Sequence, residues 1–279
     1  MILSNPNVHK YLMKKFFIVL ALCMWLTAHA NTNSIGVYDA RSGQWYLSKD
    51  INTVRPIASI TKLMTAMVAL DFDYNLERRL VLSRRVPGSL PPGAYSRLDL
   101  IRALLVRSDN AAAETLAEDF PGGRGAFIAA MNRAAAQYEM ANTRFIDPSG
   151  LGVFNVSTVT DLSRMLEAAN GYWLIREIST KKQIAIDTAH GKKIRTLLLN
   201  NTNSSLLLTF DTITVSKTGY TTPAGFCVAM VVEQNRQQYH IIVLGSKNRI
   251  DRYNTVKNAV SDNVHMFSDR HIQFADVAQ

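Results

Sequence analysis

The chain has 279 residues, 47% hydrophobic and 19% charged, with 31 basic side chains against 22 acidic ones and a formal charge of +9. This composition excludes a disordered tail, a collagen and a disulfide-stapled mini-domain, and the length suffices to bury a sizeable core without metals or cross-links. The basic residues stand singly or in pairs such as Arg84-Arg85 and Lys192-Lys193, so no charged block marks a nucleic-acid partner and the excess reads as a solvated surface.

In chain order, the first feature is an export signal. Lys14-Lys15 precedes the apolar run Phe16–Leu26, and Ala28-His29-Ala30 follows with small-x-small spacing. A charged start, a short apolar run and such a site read as a secretory signal cleaved after Ala30, too short for a comfortable membrane span. Met13 would itself open a complete signal. Residues 1–30 are expected to be removed. Residues 31–279 are expected to form a single exported, periplasmic domain, soluble or loosely associated with the cell wall, with no transmembrane anchor. Of the two cysteines only Cys227 lies outside the signal, so no intramolecular disulfide is expected. Its place in the apolar run Ala224–Val232 reads as a buried strand residue, not a nucleophile.

Ser34–Asp39 and Gln44–Ser48 alternate apolar and polar around Ala40-Arg41-Ser42-Gly43, which predicts a β-hairpin. From Ile60, Leu63, Met64, Met67, Val68 and Leu70 follow the spacing of an amphipathic helix. Leu98–Val106 and Ala111–Phe120 read as helices separated by Arg107–Asn110. Pro121-Gly122-Gly123 breaks the chain before the Ala-rich helix Gly125–Tyr138. Thr158-Val159-Thr160-Asp161 has capping-box spacing ahead of a helix to Ala169. Ser179–Lys182 reads as a basic loop. Asp211–Thr218, Ala224–Glu233 and Tyr239–Gly245 read as three consecutive antiparallel strands, and Asp251–Phe267 as a closing helix.

Several common chemistries find no support. The sequence has no G-x-S-x-G, no H-E-x-x-H, no P-loop and no G-x-G-x-x-G, and its six histidines are scattered; neither a metal nor a cofactor is expected. An ordered triple remains: Ser59-Ile60-Thr61-Lys62, Ser108-Asp109-Asn110 and Lys217-Thr218-Gly219. These are the S-x-x-K, S-D-N and K-T-G patterns of serine acyl-transfer enzymes that react with penicillin. Second copies occur at Ser179–Lys182 and Ser261–Asn263, but neither falls in the required order.

The spacing of each pattern has a physical reason. At a helix N-terminus the backbone N–H of Ser59 is free and the helix dipole favours developing negative charge. Lys62, three residues on, lies one turn later on the same face and its amine reaches the Ser59 hydroxyl. Lysine is a base only when burial or a nearby cation lowers its pKa; Leu63 and Met64 would supply the apolar walls and Lys217 the second cation. Ser108 and Asn110 on a turn between helices would point into a cleft. Lys217 on a strand edge, followed by Gly219, would let a substrate backbone lie alongside.

The sequence resembles the penicilloyl-serine transferases, specifically the low-molecular-mass serine D-alanyl-D-alanine peptidases. The resemblance extends beyond the three patterns to Leu104–Ala112, to Thr143–Leu151 with Asn155–Thr158, and to Ser216–Thr221 with Ala224–Cys227; it spans about Ile35 to Ser246. It implies an α+β fold, a five-stranded antiparallel sheet flanked by helices plus a mostly helical subdomain, with the cleft between them. It implies that Ser59, Lys62 and Ser108 are catalytic, that Asn110, Lys217, Thr218, Gly219 and Tyr220 bind substrate, and that the N–H groups of Ser59 and Tyr220 form the oxyanion hole. The partners it implies are peptidoglycan peptides, with β-lactam antibiotics as covalent inhibitors. Sixty residues follow Gly219, which suits the short D-alanyl-D-alanine endopeptidases better than carboxypeptidases with a further β-domain. A carboxypeptidase and a class A β-lactamase are the alternatives. The β-lactamases clear their adduct with a Glu in an E-x-x-L-N stretch. Here the nearest approach is Glu167-Ala168-Ala169-Asn170, and Asp147-Pro148 reads as a turn.

Overall fold

The computed structural model describes residues 33–190, 193–234 and 236–263. The chain divides into a unit over Met1–Thr32, which lies outside those residues together with the signal expected there, and a unit over Asn33–Gln279.

Within the second unit the main sheet is five-stranded and antiparallel. The hairpin β1 (Ser34–Asp39) and β2 (Gln44–Lys49) forms where the sequence places it. Asp39 accepts hydrogen bonds from the Arg41 and Ser42 backbone and so shapes the turn. Three strands come from the last third of the chain. The sheet runs β2, β1, Gln237–Ser246, Gly225–Gln234, Ile213–Thr221. Period-two alternation sorts its side chains onto two faces. Cys227, Ala229, Val231, Ile242 and Leu244 join a helical core on one face, whereas Val228, Met230, Val232, Ile241 and Val243 pack with Val256, Ala259 and Val260 on the other. Burial on both faces explains why these strands read as continuous apolar runs. Val256, Ala259 and Val260 belong to the closing helix, Arg249–Asn263; the part expected from residue 264 lies outside the described residues.

The helices of the middle are α1 (Lys62–Phe72), α2 (Arg97–Arg102), α3 (Asn110–Glu118), α4 (Gly123–Gln137), α5 (Val159–Asn170) and α6 (Trp173–Ser179). Thr158 caps α5 through its side chain, accepting from the Asp161 N–H. Two expectations are corrected. The helix after Ser59 is not amphipathic: every residue from Lys62 to Leu70 is buried, because helices and sheet enclose it on all sides. Ser179 is not in a loop. It ends α6, fully buried, and its Oγ accepts the Ser216 N–H at 3.2 Å.

A second, four-stranded sheet has no counterpart in the expected elements. It is ordered β4 (Arg79–Val81), β5 (Ala94–Ser96), β7 (Gln183–His190), β8 (Lys193–Asn200), while the short strands β3 (Arg55–Pro56) and β6 (Val156–Ser157) pair with each other.

Candidate active site

Ser59 lies in the 3₁₀ turn Ala58–Thr61, which runs directly into α1. Ala58 is held at φ 47°, a left-handed conformation that costs an L-residue on the order of 1–3 kcal/mol. The turn is pressed from two sides by backbone. A Cβ on Gly150 would meet the Ala58 carbonyl oxygen at 2.0 Å, and one on Gly219 would meet the Ser59 nitrogen at 3.0 Å.

The loop carrying Gly150 is organised by Asp147. Its carboxylate accepts from the Ser149, Gly150 and Gly152 N–H groups and the Ser149 hydroxyl. Burial pushes the Asp147 carboxyl up, but these hydrogen bonds outweigh it and hold the net value below the ordinary one. Asn155 fastens the loop to the turn that carries Ser59, donating to Thr61 Oγ1 at 3.2 Å and to the Asp147 carbonyl at 2.9 Å. Asp147 is thus a turn residue, as its sequence context indicates.

Lys62 Nζ lies 2.8 Å from Ser59 Oγ, 2.8 Å from Asn110 Oδ1 and in short contact with the Ser149 carbonyl oxygen. Asn110 Oδ1 and the Ser149 carbonyl can only accept. A neutral amine has two N–H groups and one lone pair, so it satisfies both acceptors and keeps the lone pair for the Ser59 O–H. Burial pushes Lys62 down to about 7, against the opposing pull of Asp109, Asp147 and Glu114. Burial is therefore the agent; the expected contribution of Lys217 is not among the causes. The repulsion falls instead on Lys217, which is held well below its ordinary value by burial, then by Lys62 and Arg252.

Lys217 sits on the edge strand Ile213–Thr221 and donates to Ser108 Oγ at 3.0 Å and to the Thr218 carbonyl at 2.8 Å. The turn Ala103–Arg107 is a π-helical segment ending at Ser108 in the left-handed region. Asp109 then caps α3 by accepting the Ala112 N–H. A cleft of about 340 Å³ is lined by Ser59, Ser108, Thr218, Gly219 and Tyr220, with Lys62 and Lys217 buried beside it. All eight residues singled out in the sequence therefore converge. Tyr220 stands on the cleft's rim, 54% exposed and stacked on Phe226 at 4.2 Å between centroids.

Sequence reasoning did not find Arg107, Thr202 and Arg252, which also line the cleft. Thr202 shares a hydrogen bond of 2.7 Å with the Thr218 hydroxyl. Arg252 reaches the site only because the closing helix packs on the sheet, and no local spacing signals it. Cys227 is buried, and burial pushes its thiol up to about 11, which makes it inert. Glu167 pairs with His240 Nε2 at 3.2 Å, and neither residue lines the cleft.

Helical core, edge strand and a serine backed by a buried lysine are the arrangement expected of the serine acyl-transfer class, and comparison with known proteins narrows it to the serine peptidases. A family model described as D-alanyl-D-alanine carboxypeptidase matches residues 87–248. A D-alanyl-D-alanine endopeptidase of Pseudomonas aeruginosa is 39% identical over 220 residues, 75% of this chain and 69% of that protein. Its counterpart in Escherichia coli is 38% identical over 226 residues, 76% of this chain and 71% of that protein. The crystal structure of a penicillin-binding protein from Listeria monocytogenes with ampicillin bound has a TM-score of 0.74 and 28% identity, covering 83% of this chain and 96% of that one. The chain belongs to the D-alanyl-D-alanine carboxypeptidase family of serine peptidases.

Proposed function

We propose that this protein is a penicillin-sensitive D-alanyl-D-alanine endopeptidase that cuts peptide cross-links of peptidoglycan through an acyl-enzyme on Ser59. The observation that carries the reading is that Lys62 Nζ lies 2.8 Å from Ser59 Oγ while two obligate acceptors, Asn110 Oδ1 and the Ser149 carbonyl, take its N–H groups, so that in the neutral amine the lone pair is left for the Ser59 hydroxyl. The endopeptidase preference rests on the names of the two relatives. Carboxypeptidase action on the same peptides is the second reading, favoured by the family's description.

In this mechanism Ser59 Oγ attacks the carbonyl of the D-alanyl residue while Lys62 takes the hydroxyl proton. The N–H groups of Ser59 and Tyr220 stabilise the oxyanion, each worth about 3 kcal/mol of barrier. Ser108, held by Lys217, passes a proton to the leaving amine, and Asn110 positions both Lys62 and the substrate amide. Lys217 and Thr218 hold the carboxylate end, and Gly219 lets the substrate backbone lie against the strand. Water then hydrolyses the ester. Purified cell wall digested with the enzyme should lose its cross-linked dimers to monomers; release of terminal D-alanine with the dimers intact would transfer the assignment to a carboxypeptidase.

Two further outcomes follow from the site. Acylation by penicillin should rise with pH through about 7, since below that value Lys62 carries its proton and cannot accept another; the rate should fall roughly tenfold per unit on the acid side. A rate that stays flat across that value would remove Lys62 as the base. The adduct should also persist for many minutes, because Asp147 is committed to its loop and Glu167 to His240. Intact-mass spectrometry at intervals after mixing follows it, and an adduct gone within seconds would favour a β-lactamase.

The basic signal and the cleavage spacing support export, with residues 1–30 removed and residues 31–279 working in the periplasm. Among the described residues no helix is long and apolar enough to cross a membrane.

A further inference from the structure

A second cavity of about 420 Å³ adjoins the catalytic cleft, and Arg107 lines both. Its walls are the loop Ser89–Pro91, Arg107, and the β8 residues from Arg195 to Asn200. Each wall is fastened to the turn that presents Ser108 and Asn110. The Ser89 and Leu90 N–H groups and the Ser89 hydroxyl all donate to Asp109 Oδ2. Arg107 is the last residue of that turn. The chain leaving β8 is tied to it by the Thr202 N–H, which donates to the Val106 carbonyl at 3.0 Å. The cavity walls are therefore built onto the turn that carries Ser108 and Asn110.

Its chemistry is one-sided. Arg195 shares a face of β8 with Leu197 and Leu199, which pack on the core, so by strand alternation its side chain leaves from the inward face. Among the described residues neither Arg195 nor Arg107 makes a salt bridge or side-chain hydrogen bond; Arg195 lies close enough to the buried Tyr95 for its charge to act on that hydroxyl. No Asp or Glu lines either this cavity or the catalytic cleft. Thr196 and Asn200 leave β8 on the other face and are engaged by Asp187 and Gln183, so the cavity's free polar groups are the two exposed guanidiniums; such a pair suits a carboxylate, which a guanidinium grips with two parallel hydrogen bonds.

We infer that this cavity is a subsite for a free carboxylate on the stem peptide, gripped by Arg107 and Arg195 as the neighbouring peptide bond enters the cleft. The inference rests on the DD-peptidase reading and names its substrate class: cross-linked peptides that keep an acidic arm, in preference to those in which that carboxylate is amidated.

The test uses two synthetic cross-linked peptides that differ only in a carboxylate or a carboxamide on that arm, with the full mature enzyme and an Arg195→Gln variant. Stoichiometric penicillin labelling of Ser59 reports that the variant is folded. Wild type should show a KM about tenfold lower for the carboxylate peptide, the scale of one charge-assisted pair. Arg195→Gln should erase that preference by raising KM for the carboxylate peptide alone, with kcat retained, whereas Arg195→Lys should restore part of it. Equal KM values for the two peptides in wild type, or an equal loss on both in the variant, would overturn the subsite. Cleavage of neither peptide by a wild-type enzyme that still takes up penicillin would overturn the DD-peptidase reading itself.

Discussion

Lys62→Arg is expected to abolish penicillin labelling nearly as completely as Ser59→Ala, with acylation slowed on the order of 10²–10⁴-fold, the scale of removing a general base. Arginine keeps the positive charge but keeps its proton as well, so it has no lone pair to offer. Its planar fork also has to fit where Lys62 is fully buried against Ser59, Asn110 and the Ser149 carbonyl. The controls come from the duplicated patterns. Ser179→Ala removes a buried acceptor for the Ser216 N–H and should cost about 1 kcal/mol of stability while labelling stays stoichiometric. Ser261→Ala lies on an exposed position of the closing helix and should change neither. Quantified fluorescent-penicillin gels check all four variants. A dead Ser179→Ala with a live Ser59→Ala would reverse the assignment of the nucleophile.

The second large effect is expected from Gly150→Ala. The added methyl group would sit 2.0 Å from the Ala58 carbonyl oxygen, and Gly150 is also held at φ 79°. Either the Asp147–Gly152 loop or the Ser59 turn has to move, and the Ser149 carbonyl moves with the loop. We expect a loss of at least about 2 kcal/mol in stability together with a collapse of the acylation rate. Gly123→Ala separates the two causes. Gly123 has φ 72° but nothing within 4 Å of its Cβ position, so it bears the backbone strain alone, about 1 kcal/mol. Urea midpoints and acylation rates for the pair decide the matter. Identical behaviour would mean that close approach at Gly150 does not fix the nucleophile.

The chemistry was more legible in the sequence than the architecture around it. Ser59 and Lys62 are separated by one helical turn, so their contact follows from helix geometry alone. The three C-terminal strands announced themselves because burial on both faces made them unbroken apolar runs. The four-stranded sheet did not. Arg79–Val81 and Ala94–Ser96 are three residues each, too short to show a period, and β8 presents Ile194 and Leu198 to solvent. Of the two causes expected for the Lys62 shift, burial holds and the Lys217 cation does not, and the weight between them was illegible for a related reason. Nothing local reveals that α1 is enclosed on every side, and it is this enclosure, not a second cation, that dominates. Arg252 lies 35 residues beyond Lys217 and joins the site only through the packing of the last helix.

The Asp147 loop bears on how drug resistance could arise. A hydrolase that survives penicillin needs a carboxylate free to drive water onto the ester, and in this site the acid within the loop beside Ser59 already holds four donors that shape the surroundings of that serine. Replacing Asp147 by a longer acid would release the loop before it supplied a base. The path to drug clearance therefore runs through a valley in which the enzyme is inactive, and escape by single substitutions should be found elsewhere, in changes that slow acylation at the rim of the cleft.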